Sequence, residues 1–579
     1  MTGTHIYVIM ERQYRQFYHT TKMLHNSLGI SPFALRSAAE RTATDMIIPK
    51  PKNTQYTEGT LQFKKLSVFC EHHEDHFTEN YIHMFVDIAI EFVKSSESNM
   101  RICQNTQLQN GAYTVEVDSN IHIAYGDQDG LRNALATLIQ ILNEDTQGFY
   151  CKKQTITDYP DSQFRSVMID LARGLPDFAR LTEDIKRLSL AKCNVLHFHL
   201  MDGMGICYES AVYEGEDIRG TKRYSIDTMR ELVKYCEDLG ISVIPEIEIP
   251  AHAAYLLHRH PEFLCECDIE NQSKWDVCAG NEKVYEFYER LIDEICEIFP
   301  GQYIHVGGDE MYFSDLPDLH RACHWNICKV CAKRMEEENI TEFNELYCYM
   351  MNRINEKVKS CGKTTIIWND MTDIAKDLPL SKDIIIEYWR TANENRGPRK
   401  GCSFDLFLKK GFKVINANFE TSYLDLEAYA NPEKTASYSY KAYPANDDDT
   451  NIIGAEACAW EYGNPACGYY LASFSPAAIL LLDKMWNTDD RVYNKEYRAS
   501  MTKLILGVQT PCHYDMFEIF GSIMPPRTAD TATYVTIQNE LTDRETLEKH
   551  SHVLKGITET YSRNYLNHVQ EIIKKELTI

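Results

Sequence analysis

From residue 164 onward the chain alternates short apolar runs with amphipathic stretches of helical spacing, and it does so eight times. The strand-like runs fall at 166–171, 194–200, 241–249, 303–306, 364–368, 384–388, 413–417 and 451–455. Helical spacing fills 181–191, 228–239, 283–298 and 342–360 between them. Near-continuous apolar strands, each followed by a helix, suit parallel strands buried under crossover helices. Eight such units over roughly 300 residues predict a (β/α)8 TIM barrel. A doubly wound open sheet is the alternative.

The barrel is expected to occupy 160–490. Before it, residues 113–117 and 121–124 alternate as strands about an Asp118-Ser-Asn turn, and 130–142 has helical spacing. These features predict a small α/β domain at about 55–155, within an N-terminal region 1–155. A helix is expected near 37–46, and the prolines of 47–53 read as a linker or entry loop. The acidic stretch 446–450 reads as a solvated loop. Residues 491–579 read as a helical C-terminal region closing with the amphipathic stretch 565–577.

Charge narrows the function classes. With 60 basic and 85 acidic side chains, the formal charge is −25. Neutralising a phosphate backbone takes a basic face, so no nucleic-acid partner is expected. No apolar run approaches the ~20 residues that span a bilayer, so no membrane partner is expected. The first twenty residues lack a basic segment followed by an apolar one, so no signal peptide is read. The 19 cysteines are therefore expected as reduced thiols in the cytoplasm.

Polar residues fall at one end of the strand-like runs. Asp170 and Arg173, Asp202, Glu248 and His252, Asp309 and Glu310, Trp368 and Trp389 all lie at or just past C-terminal ends. In a barrel those ends converge on the catalytic face. The most informative segment is Tyr303-Ile-His-Val-Gly-Gly-Asp-Glu310. Its run ends in two glycines that free the backbone, so the adjacent Asp309 and Glu310 can be turned toward one spot. Two carboxylates at one site resist joint ionisation, and a protonated acid beside an ionised one is what glycosidic cleavage needs. A polar turn with two solvated acids is the bland alternative.

Four motifs in order resemble family 20 glycoside hydrolases, the β-N-acetylhexosaminidases, over about residues 110–490. They are Asp170-Leu-Ala-Arg173, His197-Phe-His-Leu-Met-Asp202, Glu246-Ile-Glu-Ile-Pro-Ala-His252 and His305-Val-Gly-Gly-Asp-Glu310. The resemblance implies an exo-acting, retaining, substrate-assisted hydrolase that releases terminal β-linked GlcNAc or GalNAc from an oligosaccharide or glycoconjugate. The sugar's own acetamido oxygen attacks, so no carboxylate nucleophile is required. Glu310 is then the acid and base, and Asp309 holds the acetamido N–H. Arg173 clamps sugar hydroxyls, its alternative being a structural pair with Asp170.

By the same resemblance Asp202 and His252 lie in the substrate site with Glu248 and His305 behind them, orienting the acid pair. Trp368, Trp389 and Trp460 wall the sugar pocket, with barrel packing as the alternative for Trp389. Tyr423 holds the acetamido carbonyl, and Asp425 and Glu461 bind hydroxyls. Two positions depart from the family pattern. Glu248 stands where the family has Asp, and Glu461 comes one residue early, which leaves room for a disaccharide-releasing variant of the lacto-N-biosidase kind.

A non-catalytic amino-sugar-binding barrel is a second reading, and the intact acid pair argues against it. A metal-dependent hydrolase using Asp202, His252 and Asp309, or His197 with His199, is a third. The resemblance implies no cofactor for catalysis. Separately, Cys265, Cys267, Cys328 and Cys331 come as two short-spaced pairs that can hold a structural zinc. Cys278, Cys323, His320 and His324 are possible substitutes, and reduced thiols without metal are the alternative.

Overall fold

Among the strand-like runs buried at every position are β9 (Phe164–Asp170), β10 (Val195–His199) and β14 (Ile385–Tyr388). A strand with helices on one side and a barrel interior on the other has no wet face, which is why these runs lack surface alternation. In the computed structural model they join β11 (Ser242–Ile249), β12 (Tyr303–Gly307), β13 (Thr364–Trp368), β15 (Val414–Asn416) and β16 (Ile452–Ala459) in a closed, all-parallel barrel. β9 pairs with β10 at one side and β16 at the other. The closed barrel, not the open sheet, is the fold.

The structure describes residues 46–489 apart from 72–74, 177, 204, 214–222, 269–271, 314–321, 370–376, 392–400, 425–449, 461 and 463–469, together with positions 497, 500 and 504. The helix expected at 37–46, the acidic loop and the C-terminal region fall almost wholly outside the described residues. No described helix is long and apolar enough to cross a membrane.

The small domain precedes the barrel. β1 (Asn53–Phe63), β2 (Lys65–Cys70), β3 (Ala89–Phe92), β4 (Met100–Gln104), β5 (Tyr113–Val117), β6 (Ile121–Tyr125) and β8 (Gly148–Asp158) form a sheet in the order β1-β8-β5-β6-β4-β2-β3. The short β7 (Asn143–Asp145) pairs with β8. Helix α1 is Asp75–His83, and α2 (Gln128–Ile141) is capped by Asp127, whose side chain accepts from the Gly130 N–H. The domain docks at the N-terminal rim of the barrel, away from the catalytic end. Arg165 at the start of β9 meets Asp129 at 2.9 Å, and Lys192, just before β10, meets Asp158 at 2.8 Å. The 47–53 segment is no loose linker. Ile48 is buried, its N–H reaches Gln140, and the Lys50 N–H reaches Asp483.

The helices include α3 (Phe178–Leu190), α4 (Ile226–Asp238), α5 (Ala254–Arg259), α6 (Glu282–Ile298), α7 (Lys329–Glu337) and α8 (Phe343–Ser360). Helices α3, α4, α6 and α8 begin and end within three residues of the spacing-based expectation. β16 runs four residues beyond its expected end, carrying Glu456 and Cys458 into the barrel.

Period-two alternation stacks the barrel interior in layers. Phe164, Val195, Ile244, Ile366, Ile385 and Ile415 form an apolar plug at the N-terminal end. Above it the inward positions are Ser166, His197, Glu246, His305, Glu387 and Glu456, all essentially without solvent exposure. Met168, Trp368, Ala417, Tyr423 and Cys458 lie above these, with Trp389, Phe419 and Trp460 packed against them.

Isolated charges in the middle layer would cost several kcal/mol each. They are paired instead. His197 stands 2.9 Å from Glu456 and 3.2 Å from Glu246, and His305 stands 3.0 Å from Glu246. Burial works against the His197 cation, but Glu456 and Glu246 outweigh it and push its pKa up to about 10. Burial, then Glu456, raises Glu387 well above the carboxylate range, so it stands neutral beside that anion.

Candidate active site

The catalytic rim is built outward from this core. Trp368 donates its indole N–H to Glu246 at 2.7 Å, which fixes the ring at the top of β13. Its ring centroid lies 5.8 Å from that of Trp460, itself 5.8 Å from Tyr423, and Tyr423 stacks on Trp389 at 6.0 Å. Trp368, Trp389, Trp460 and Tyr423 therefore form one continuous aromatic wall. Trp368 is buried and Trp389 and Trp460 are half-buried. Asp425 and Glu461, expected beside this wall, lie outside the described residues.

Arg173 spans the wall and the acids. Its guanidinium sits 5.1 Å over the Trp460 ring, with one nitrogen 3.0 Å from Asp170 and the other 2.6 Å from Asp202. The pair with Asp170 and a place at the site are therefore both realised. Asp202, expected in the substrate site and among the residues that orient the acid pair, takes an orienting place. It is 3% exposed, and one oxygen, Oδ2, is shared by Arg173, His252 at 3.1 Å and His199 at 3.2 Å. With Arg173, His199 and the His252 ring all crowded on that oxygen, Asp202 positions Arg173 and His252. Arg173, then His252, hold its carboxyl well below the usual range despite burial.

Asp309 and Glu310 follow β12, and they do meet. His252 Nε2 lies 3.2 Å from Asp309 and 3.5 Å from Glu310, so one imidazole faces both acids. Two left-handed glycines make the turn. Gly307 has φ +67° and Gly308 φ +93°. A Cβ at Gly307 would stand 2.0 Å from the Glu248 carboxyl, and one at Gly308 2.5 Å from the Tyr347 hydroxyl. His252 and Glu310 are themselves left-handed, at φ 52° and 48°. Such conformations in non-glycine residues cluster at functional sites.

The acid that carries a raised pKa beside Asp309 is Glu248. Burial, then the charges of Asp309, Glu246 and Asp202, push it well above the carboxylate range. Asp309 goes the other way: burial opposes its charge, but His252 prevails and lowers its pKa. A neutral Glu248 thus backs an ionised Asp309. The extra methylene of Glu248, relative to the aspartate of the family pattern, carries its carboxyl over Gly307.

His252 keeps its charge because Asp309 and Asp202 outweigh burial, raising its pKa from 6.5 to about 10. The groups facing it are Asp202, Asp309 and Glu310. A folded pKa above the unfolded one means stabilisation that is full below pH 6.5 and lost as the pH rises through about 10. The lowered Asp309 contributes above 3.8 and loses that contribution as the pH falls. His252→Asn removes the cation facing both acids. The acid limb of the kcat/KM profile should then move up by about one pH unit. An unmoved limb would show that His252 does not keep Asp309 ionised.

Trp275 belongs to this site although no motif announced it. It is buried, donates its indole N–H to the Glu310 carbonyl at 3.0 Å, and packs on the His252 ring at 4.5 Å between centroids. Of the middle-layer acids, Glu246 entered the sequence analysis only as the start of a motif, and Glu387 and Glu456 were given no role. Each is an acid at the inward parity of its strand, Glu387 and Glu456 with apolar neighbours on both faces. His197 and His199, considered together as a possible metal pair, are held instead against carboxylates, Glu246, Glu456 and Asp202.

The four sulfurs that gather are Cys265, Cys278, Cys328 and Cys331, all within 4.8 Å of one another. Cys267 is half-buried and lies outside that group. The short spacing of Cys265 and Cys267 suggested a pair. In the folded loops Cys278, close before α6, fills the position instead. Cys323 and His324 are not in the group, and His320 lies outside the described residues.

Residues 162–464 match the catalytic domain of glycosyl hydrolase family 20, and residues 44–159 match domain 2 of that family. A β-hexosaminidase of Vibrio furnissii is 27% identical over 441 residues, covering 70% of this chain and 68% of that protein. One of Porphyromonas gingivalis is 27% identical over 369 residues, covering 59% of this chain but 45% of that longer protein. The crystal structure of a β-N-acetylhexosaminidase from Bacteroides fragilis superposes with a TM-score of 0.67 at 22% identity, covering 80% of this chain and 95% of that one. That structural likeness establishes the fold.

Proposed function

Because the chain belongs to glycosyl hydrolase family 20 and is a glycoside hydrolase, we propose that it is a retaining exo-β-N-acetylhexosaminidase. The observation that carries this reading is the convergence of Asp309 and Glu310 on one imidazole, beside Arg173 and an aromatic wall. In the proposed reaction the acetamido oxygen of a terminal N-acetylhexosamine attacks the anomeric carbon. Glu310 gives its proton to the leaving oxygen, and an oxazoline forms. Asp309, kept ionised by His252, accepts the acetamido N–H and stabilises the positive charge spreading over that group. Glu310 then takes a proton from water as the water opens the oxazoline, so two inversions leave the configuration retained.

The aromatic wall suits the apolar face of a sugar and the acetamido methyl. In this reading Tyr423 holds the acetamido carbonyl, which saves orientational entropy at the reacting centre. Arg173, its fork set by Asp170 and Asp202, faces the sugar hydroxyls in this reading. Its substrates are oligosaccharides or glycoconjugates ending in GlcNAc or GalNAc. The same proposal places the enzyme in the cytoplasm, where its 19 cysteines stay reduced.

The stereochemistry tests the reading. Proton NMR of the first turnovers of an aryl β-N-acetylglucosaminide should show the β anomer of the released sugar before mutarotation. Initial appearance of the α anomer would rule out a double displacement and with it the oxazoline.

A further inference from the structure

We infer that Cys265, Cys278, Cys328 and Cys331 bind a single zinc ion that locks two loops of the catalytic rim together and holds Trp275 against Glu310. The four side chains are 0–5% exposed, and their sulfurs lie within 4.8 Å of one another. Cys278 Sγ is 3.6 Å from the sulfurs of both Cys328 and Cys331. A tetrahedron of Zn–S bonds of about 2.3 Å has edges of about 3.8 Å, so the sulfurs stand at the spacing one ion requires. Four thiolates and no oxygen donor make a soft set, which selects zinc over magnesium or calcium.

The backbone around the sulfurs is built for this use. Cys328 caps α7, and the Cys331 N–H points at its sulfur at 3.4 Å, an outer-shell bond that fixes a thiolate in place. The Cys278 N–H donates to the Phe263 carbonyl at 2.9 Å, and the Lys329 N–H to the Glu266 carbonyl at 3.1 Å, so the segments carrying Cys265, Cys278 and Cys328 are already laced together. Gly280 admits the first turn of α7. A Cβ there would stand 2.4 Å from the Val330 carbonyl oxygen and 2.7 Å from the Cys331 nitrogen.

The site reaches the chemistry through a short lever. Cys278 is three residues from Trp275, whose indole holds the Glu310 carbonyl and packs on His252. Val277, between them, accepts from the Trp325 indole at 2.9 Å, which ties the lever to the loop entering α7. Trp275 is thereby a positioning residue, and the ion is structural. The inference stands on the sulfur geometry and does not depend on which sugar the enzyme cleaves.

The test is metal content of the full chain, purified under reducing conditions without chelators. Elemental analysis should find about one zinc per chain. Cys278→Ser and Cys331→Ser should lose it, and Cys267→Ser should keep it. Should the serine variants fail to fold, the unaltered chain exchanged with cobalt(II) decides the matter, because a tetrahedral tetrathiolate site gives intense visible ligand-field bands. A metal-free chain, iron in place of zinc, disulfides among the four cysteines, a cobalt spectrum without those bands, or full zinc in Cys278→Ser would each overturn the inference.

Discussion

Glu310→Gln lowers kcat on substrates with poor leaving groups by about 10²–10⁴-fold, the usual contribution of a positioned acid and base. The amide keeps the size and the turn but carries no proton to give. An alkoxide leaving group needs that proton, whereas a nitrophenolate departs with far less help. The loss should therefore be smaller on a nitrophenyl glycoside than on a disaccharide. Unfolding midpoints should stay close to those of the unaltered enzyme, because Glu310 is half-buried and the His252 cation still has Asp202 and Asp309. Rates on a leaving-group series check this. Equal losses across the series would assign Glu310 a role other than proton donor.

Much of this site is legible in the sequence because barrel geometry converts chain position into spatial position. A polar residue at the C-terminal end of any strand arrives at the same rim. Asp170, Asp202, Glu248, Asp309 and Trp368 all do so, although they span 199 positions of the chain. The glycine pair before Asp309 carried real geometric information, since Gly307 and Gly308 adopt backbone angles and close approaches that a side chain would forbid.

What was not legible came from two sources. Trp275 lies in a loop with no periodicity, so only the fold brings it to Glu310, and Cys278, named from the sequence only as a substitute ligand, proves to be one of the four gathered sulfurs. Glu246, Glu387 and Glu456 have strand periodicity, but an acid inside an apolar run looks like an interruption until its histidine partners are known. The raised pKa of Glu248 was not foreseen either. The neutral carboxyl beside Asp309 belongs to Glu248, which the chain brings over Gly307 from the neighbouring strand.

The second large effect concerns the substrate rather than the protein. If the acetamido oxygen is the nucleophile, removing the acetamido group removes the attacking atom. A well-oriented neighbouring group has an effective molarity of about 10⁵–10⁸ M, worth roughly 7–11 kcal/mol of the barrier at best. Neither acid of the pair replaces it, since Asp309 is committed to His252 and Glu310 to proton transfer. Part of that advantage is lost to imperfect alignment, so a loss of about 10³-fold or more is expected. The measurement is initial-rate kcat/KM for a nitrophenyl β-N-acetylglucosaminide, its galacto epimer and the plain β-glucoside under one set of conditions. The account predicts turnover of the acetamido sugars and at least about a 10³-fold lower value for the glucoside. Comparable hydrolysis of the plain glucoside would contradict it.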